Sequence, residues 1–146
     1  MPVAGIDAER IPDTFDAPRA GGRRHNATDI MARRGTPVVA ADDGLVISMR
    51  RNRSGGITLY ATDAESRFVY YYAHLSGYRE GVREGTKLAK GDVIGYVGTS
   101  GNAPKDAPHL HFQLMRMPAD GRYWAGTPID ARPFLVETVQ VESGGR

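Results

Sequence analysis

Hydrophobic and polar positions change over at short intervals along this chain. Runs of strand character at Pro37 to Ala41, Gly44 to Met49, Ile57 to Ala61, Arg67 to Ala73, Val93 to Val97 and Leu110 to Met115 alternate with turn signals. No long stretch competes with the 3.6-residue period of a helix. Asp42-Asp43-Gly44 and Ser54-Gly55-Gly56 read as turns, because glycine supplies a positive φ without steric cost. Six or more short strands at this spacing predict an all-β fold, barrel-like or sandwich-like. Pro12, Pro18 and Gly21-Gly22 predict an extended lead-in over residues 1–22, with regular structure from near Arg24 and one domain over 23–135. The tail 136–146, ending in Ser143-Gly144-Gly145-Arg146, is expected to fray.

One pattern occurs twice. Gly35-Thr36-Pro37-Val38 precedes Gly44-Leu45-Val46, and Gly85-Thr86-Lys87-Leu88 precedes Gly91-Asp92-Val93-Ile94-Gly95. Two related hairpin units would produce this echo.

Composition narrows the chemistry. With 146 residues, 40% hydrophobic and 25% charged, the chain suits one globular domain with one site. The net charge of +2 is a weak signal, and the arginines at 23, 24, 33, 34, 50, 51 and 53 read as a solvated rim. No recognition helix, RNP-like strand or zinc finger accompanies them, so nucleic acid is not an expected partner. There is no cysteine, which excludes disulfides and leaves histidine and carboxylate as the metal ligands available. No apolar run reaches the ~18 residues of a membrane span, and the residues after Met1 lack the regions of a signal peptide.

The four histidines carry the remaining signal. In His109-Leu110-His111, residues i and i+2 of a strand face one side, so both imidazoles project together while Leu110 faces the other way. Both can reach one metal, or one can ligate while its neighbour acts on substrate. His25 and Asp29 stand four apart, a spacing that an extended segment or a helical turn can each bring to one side. His74 ends the aromatic run Tyr70-Tyr71-Tyr72-Ala73-His74, where Tyr70 and Tyr72 would share its face, more as core aromatics than as groove lining. Two histidines and an aspartate are a common ligand set for catalytic zinc with an open fourth position. The His-Glu-x-x-His motif is absent, so any general base must be another group, for which the spare histidines are candidates.

These residues together resemble the lysostaphin/LytM-type peptidoglycan zinc metalloendopeptidases. The resemblance rests on His25 to Asp29, Gly35 to Val38 with Gly44, Ala73-His74-Leu75, Gly91 to Gly98 and His109 to Phe112. It implies the duplicated hybrid motif fold, an antiparallel β-sheet core of duplicated hairpins with an open groove. It also implies one Zn2+ per chain held by His25, Asp29 and His111, with His74 and His109 acting beside the metal on a peptidoglycan peptide. Hydrolysis of cell-wall peptide bonds would follow, in the periplasm or outside the cell, after export by a signal or anchor preceding Met1. A monomer is expected. The chain departs from the family pattern at Ala27, where glycine is usual, at Gln113, where glutamate is frequent, and in a longer stretch from Ser100 to Pro108 that is expected to shape one groove wall. The runner-up reading is a non-catalytic peptidoglycan-binding or hydrolase-activating module of the same fold. A phosphohistidine carrier comes third, since it would have no use for Asp29 as a ligand.

Overall fold

The computed structural model describes residues 1–7, 9, 11–12, 15–16 and 26–135. Nine strands form one antiparallel sheet: β1 (Thr28–Met31), β2 (Pro37–Val39), β3 (Gly44–Asn52), β4 (Gly56–Asp63), β5 (Phe68–Tyr78), β6 (Lys87–Leu88), β7 (Val93–Val97), β8 (His109–Arg116) and β9 (Thr127–Ile129). The main path runs β1-β8-β5-β4-β3-β6, with β7 joining β2 to β5 and β9 flanking β8. Helix is confined, among the described residues, to short turns such as the 3₁₀ turn Tyr123–Ala125 and a single turn at 132–135. The expected all-β antiparallel architecture is therefore present. No helix among these residues is long and apolar enough to cross a membrane.

All six predicted runs form strands, with β7 at the expected bounds and β3, β4, β5 and β8 longer than expected. The short strands β1, β6 and β9 were not foreseen, since two to four residues carry too little alternation to stand out. The regular structure that is described begins at Thr28. Arg24 and the expected tail over 136–146 lie outside the described residues.

The duplicated pattern corresponds to reciprocal pairing. Gly35 N–H donates to Val97 O at 2.8 Å while Val97 N–H donates to Thr36 O at 2.9 Å. In the other unit Gly85 N–H donates to Val46 O at 2.8 Å and Val46 N–H to Thr86 O at 2.9 Å. Each unit thus completes the sheet of the other: β2 pairs with β7, and β6 with β3. The left-handed backbone at Gly35 and Gly85, φ 90° and 93°, explains why both copies place glycine there.

One face of the sheet carries the core, with Ile30, Leu59, Tyr72, Leu110 and Phe112 buried together. The beginning of the lead-in adds to it: Met1, Val3 and Ile11 are buried, and Val3 bridges to Val38. Full burial of one such side chain is worth about 1.5–3 kcal/mol. This packed layer gives the opposite face a rigid floor.

Candidate active site

Strand register assembles the site. In the β1–β8 ladder Asp29 lies opposite His111 and Met31 opposite His109, and in the β5–β8 ladder Ala73 lies opposite His111. Leu110 and Phe112 are buried in the core, so His109 and His111 share the other face as the alternation predicts. Asp29 projects to that face between the buried Thr28 and Ile30. Its Oδ1 is buried, 3.3 Å from His111 Nδ1 and 3.8 Å from His109 Nε2.

His74 arrives by a different route. Simple alternation along β5 would send it to the core side with Tyr72. Instead its backbone is left-handed, φ 62°, and β5 changes partner there, pairing with β8 through Ala73 and with β7 from Leu75 onward. The ladder to β4 is irregular at the same place, and His74 N–H donates to Gly55 O at 2.7 Å. This break turns the imidazole toward the other histidines, 5.0 Å from His109 and 5.6 Å from His111 between ring centroids. A non-glycine residue in such a conformation costs of order 1–3 kcal/mol, and strain of this kind concentrates at functional sites.

The imidazoles of His74 and His109 are both oriented by carbonyl groups. His74 Nδ1 lies 2.8 Å from Ser100 O, and His109 Nδ1 lies 3.0 Å from Ala107 O. A carbonyl oxygen only accepts, so Nδ1 of each ring carries the proton of its bond, and Nε2 is left for the site. Burial holds the His74 pKa below the usual histidine range; the Ser100 bond opposes this, and the neighbouring His111 and His109 add to it. The loop that was expected to wall the groove therefore fixes both rings through Ser100 and Ala107. Ser100 Oγ further donates to Leu75 O at 2.6 Å and accepts from Ile57 N–H at 3.0 Å.

Gly98 sits where this loop meets β5. A Cβ there would stand 2.5 Å from Ser76 N and 2.9 Å from His74 O, both main-chain atoms that cannot swing aside. Gly98→Ala is expected to destabilise the fold by about 1–3 kcal/mol in urea unfolding, as overpacking does, and to displace the His74 main chain.

The structure brings together Asp29, His74, His109 and His111. His25 lies outside the described residues, and among the described residues no three His, Asp or Glu side chains form a complete metal cluster. The neighbouring Asn26 is anchored to β8, because its carbonyl accepts from Gln113 Nε2 at 3.1 Å. Zinc bonds of about 2.0–2.1 Å in a tetrahedron set neighbouring donors about 3.3–3.4 Å apart. The Asp29 Oδ1 to His111 Nδ1 separation of 3.3 Å matches that edge, and an imidazole nitrogen beside a carboxylate is a donor pair suited to zinc. His109 Nε2 lies farther from the carboxylate.

Sequence reasoning missed Tyr71. Its ring meets His111 edge-on at 6.1 Å and Tyr60 at 4.6 Å, and its hydroxyl hydrogen-bonds with the Asn52 side chain. Burial and the nearby Tyr60 hydroxyl push its pKa up to about 12. Tyr72 belongs to the core, where its hydroxyl accepts from Ala41 N–H, and Tyr70 donates to Asp42. Three consecutive tyrosines give no sequence cue as to which one faces the site. Tyr70 and Phe112 instead line a cavity of about 320 Å³ on the other face, away from the histidines.

A protein-family model described as peptidase family M23 matches residues 23–131. The chain is 39% identical over 107 residues to the L-Ala--D-Glu endopeptidase of Bacillus subtilis, covering 69% of this chain and 32% of that protein. It is 30% identical over 115 residues to the peptidoglycan DD-endopeptidase ShyC of Vibrio cholerae, covering 75% of this chain and 25% of that protein. The chain thus spans about a third or less of these relatives. Among solved structures, the catalytic domain of the antimicrobial peptidase lysostaphin from Staphylococcus simulans superposes with a TM-score of 0.72 at 29% identity, covering 86% of this chain and 91% of that one.

Proposed function

Because the chain belongs to peptidase family M23, we propose that it is a zinc-dependent endopeptidase that hydrolyses peptide bonds in bacterial peptidoglycan. The observation that carries the reading is the Asp29–His111 donor pair at 3.3 Å with two further imidazoles, His74 and His109, turned toward it. Asp29 and His111 would hold the metal together with His25, leaving a fourth position open. Zinc in such a site supplies Lewis acidity toward a carbonyl oxygen and acidifies water.

The chain's own groups manage the protons. Hydrolysis forms a bond from water oxygen to the carbonyl carbon, breaks the C–N bond and delivers a proton to the departing amine. His74 and His109, each with Nδ1 held by a carbonyl oxygen, leave Nε2 to take the proton from water and return it to nitrogen. Protonated in turn, an imidazolium stabilises the oxyanion that develops on the substrate. The open face of the sheet, bounded by the loop 98–108 on one side, receives the peptide.

Peptidoglycan as substrate is supported by the named activities of the relatives, and a protein acting on it would work in the cell envelope. The bonds named for those relatives differ, so the bond cut here is set by groove residues outside the metal pair. Treatment with a chelator is expected to abolish clearing of purified sacculi, and stoichiometric zinc to restore it. Full clearing by metal-free protein would refute the zinc-dependent reading. A non-catalytic binding module would bind sacculi without clearing them under either condition.

A further inference from the structure

Beyond Tyr71 an aromatic row continues away from the histidines. Tyr60 lies opposite Tyr71 in the β4–β5 ladder, its ring meets Tyr123 at 5.0 Å, and Tyr123 meets Trp124 edge-on at 4.9 Å. Tyr123 and Trp124 come from the 3₁₀ turn between β8 and β9, which folds over Met115 through Gly126. Trp124 is 60% exposed, the most exposed of the large hydrophobic side chains in the described residues. Rings of this size are normally at least partly covered, and exposed tryptophan is concentrated where a partner covers it.

We propose that Trp124, supported by Tyr123 and Tyr60, is a saccharide subsite that binds a pyranose ring of the glycan to which the scissile peptide is attached. The proposal rests on the peptidoglycan reading given above and assigns a recognition element to it. Three features of the surface select a sugar ring. First, the row is continuous with the site: each ring contacts the next from His111 outward. A ligand on Trp124 is therefore part of the same substrate, several residues from the reacting bond. Second, β4 and β5 are interior strands with both edges paired, so their main-chain groups are not available to an extended peptide, which is usually bound by adding to a strand edge. Ring faces instead suit the C–H face of a pyranose, while the tyrosine hydroxyls at the border offer hydrogen bonds to its hydroxyl groups. Third, a few rings cover far less than the roughly 800 Å² per partner of a stable protein interface. The cation next to them in the turn, Arg122, is held by Asp120 at 2.7 Å, which suits a neutral ligand.

Trp124 is the only tryptophan in the chain, so its fluorescence reports on this subsite alone. Titration of the wild-type protein with peptide-free glycan strands is expected to give a saturable change in tryptophan fluorescence, and titration with the matching sugar-free stem peptide none. In cleavage assays Trp124→Ala is expected to raise KM for glycan-linked peptides about tenfold, the scale of an aromatic binding hot spot, with kcat and hydrolysis of the sugar-free peptide unchanged. Its exposed position makes misfolding an implausible cause, and unchanged hydrolysis of the free peptide checks it. No response to glycan, a response to the free peptide alone, or an equal loss on both substrates overturns the subsite. Binding of glycan without cleavage of either substrate supports the subsite and refutes the peptidase reading.

Discussion

His111→Ala and Asp29→Ala are expected to lose bound zinc and, with it, roughly 10³-fold or more in turnover. A metal's stabilisation of transition-state charge amounts to several kcal/mol, and each 1.36 kcal/mol is tenfold in rate. The two side chains face each other across the β1–β8 ladder at 3.3 Å, so removing either takes away one of the donors that would hold the metal. Neither is part of the hydrophobic core, and circular dichroism should show an unchanged β signature. The measurement is elemental analysis of carefully purified protein alongside activity. Stoichiometric zinc in either variant would remove that residue from the ligand set.

The second large effect separates chemistry from metal binding. His74→Ala and His109→Ala should each keep near-stoichiometric zinc while losing about 10²–10⁴-fold in turnover, the range of general acid–base catalysis. The geometry gives the reason for the split within one strand. His111 turns Nδ1 toward Asp29 at 3.3 Å, whereas His109 commits Nδ1 to Ala107 O and keeps Nε2 3.8 Å from the carboxylate. His74 is held by Ser100 O and reaches the site through its left-handed backbone. If His109→Ala empties the metal site while His111→Ala retains zinc, the roles of the two histidines are reversed. Full turnover in both His74→Ala and His109→Ala would refute the mechanism.

Much of this was legible in the residues. The period-two alternation of His109-Leu110-His111-Phe112 is enough to put two imidazoles on one face and two apolar side chains on the other, because a strand has no other way to bury Leu110 and Phe112. The repeated glycine-threonine pattern predicted two related hairpin units; instead the strands of each unit pair with those of the other, β2 with β7 and β6 with β3. The residues alone made His74 one of the spare histidines open to proton transfer, and only the resemblance set it beside the metal. Its orientation depends on β5 exchanging one neighbour for another at a left-handed residue, a tertiary event that alternation cannot encode. The same break hid Tyr71, since counting back from His74 by twos selects Tyr72 and Tyr70. The edge strand β1 escaped notice because Asp29 interrupts its apolar pattern, although that interruption is what brings a carboxylate to the site. The Gln113 amide donates a bond to Asn26 O, which a carboxylate could not do.

The most direct test of the account is to incubate zinc-loaded protein with purified sacculi and identify the released fragments by mass. Soluble fragments with new amino and carboxyl termini from a hydrolysed peptide bond are expected, and none from metal-free protein. Fragments with new reducing sugar ends and intact peptides, or no release by protein that has been shown to contain stoichiometric zinc, would contradict it.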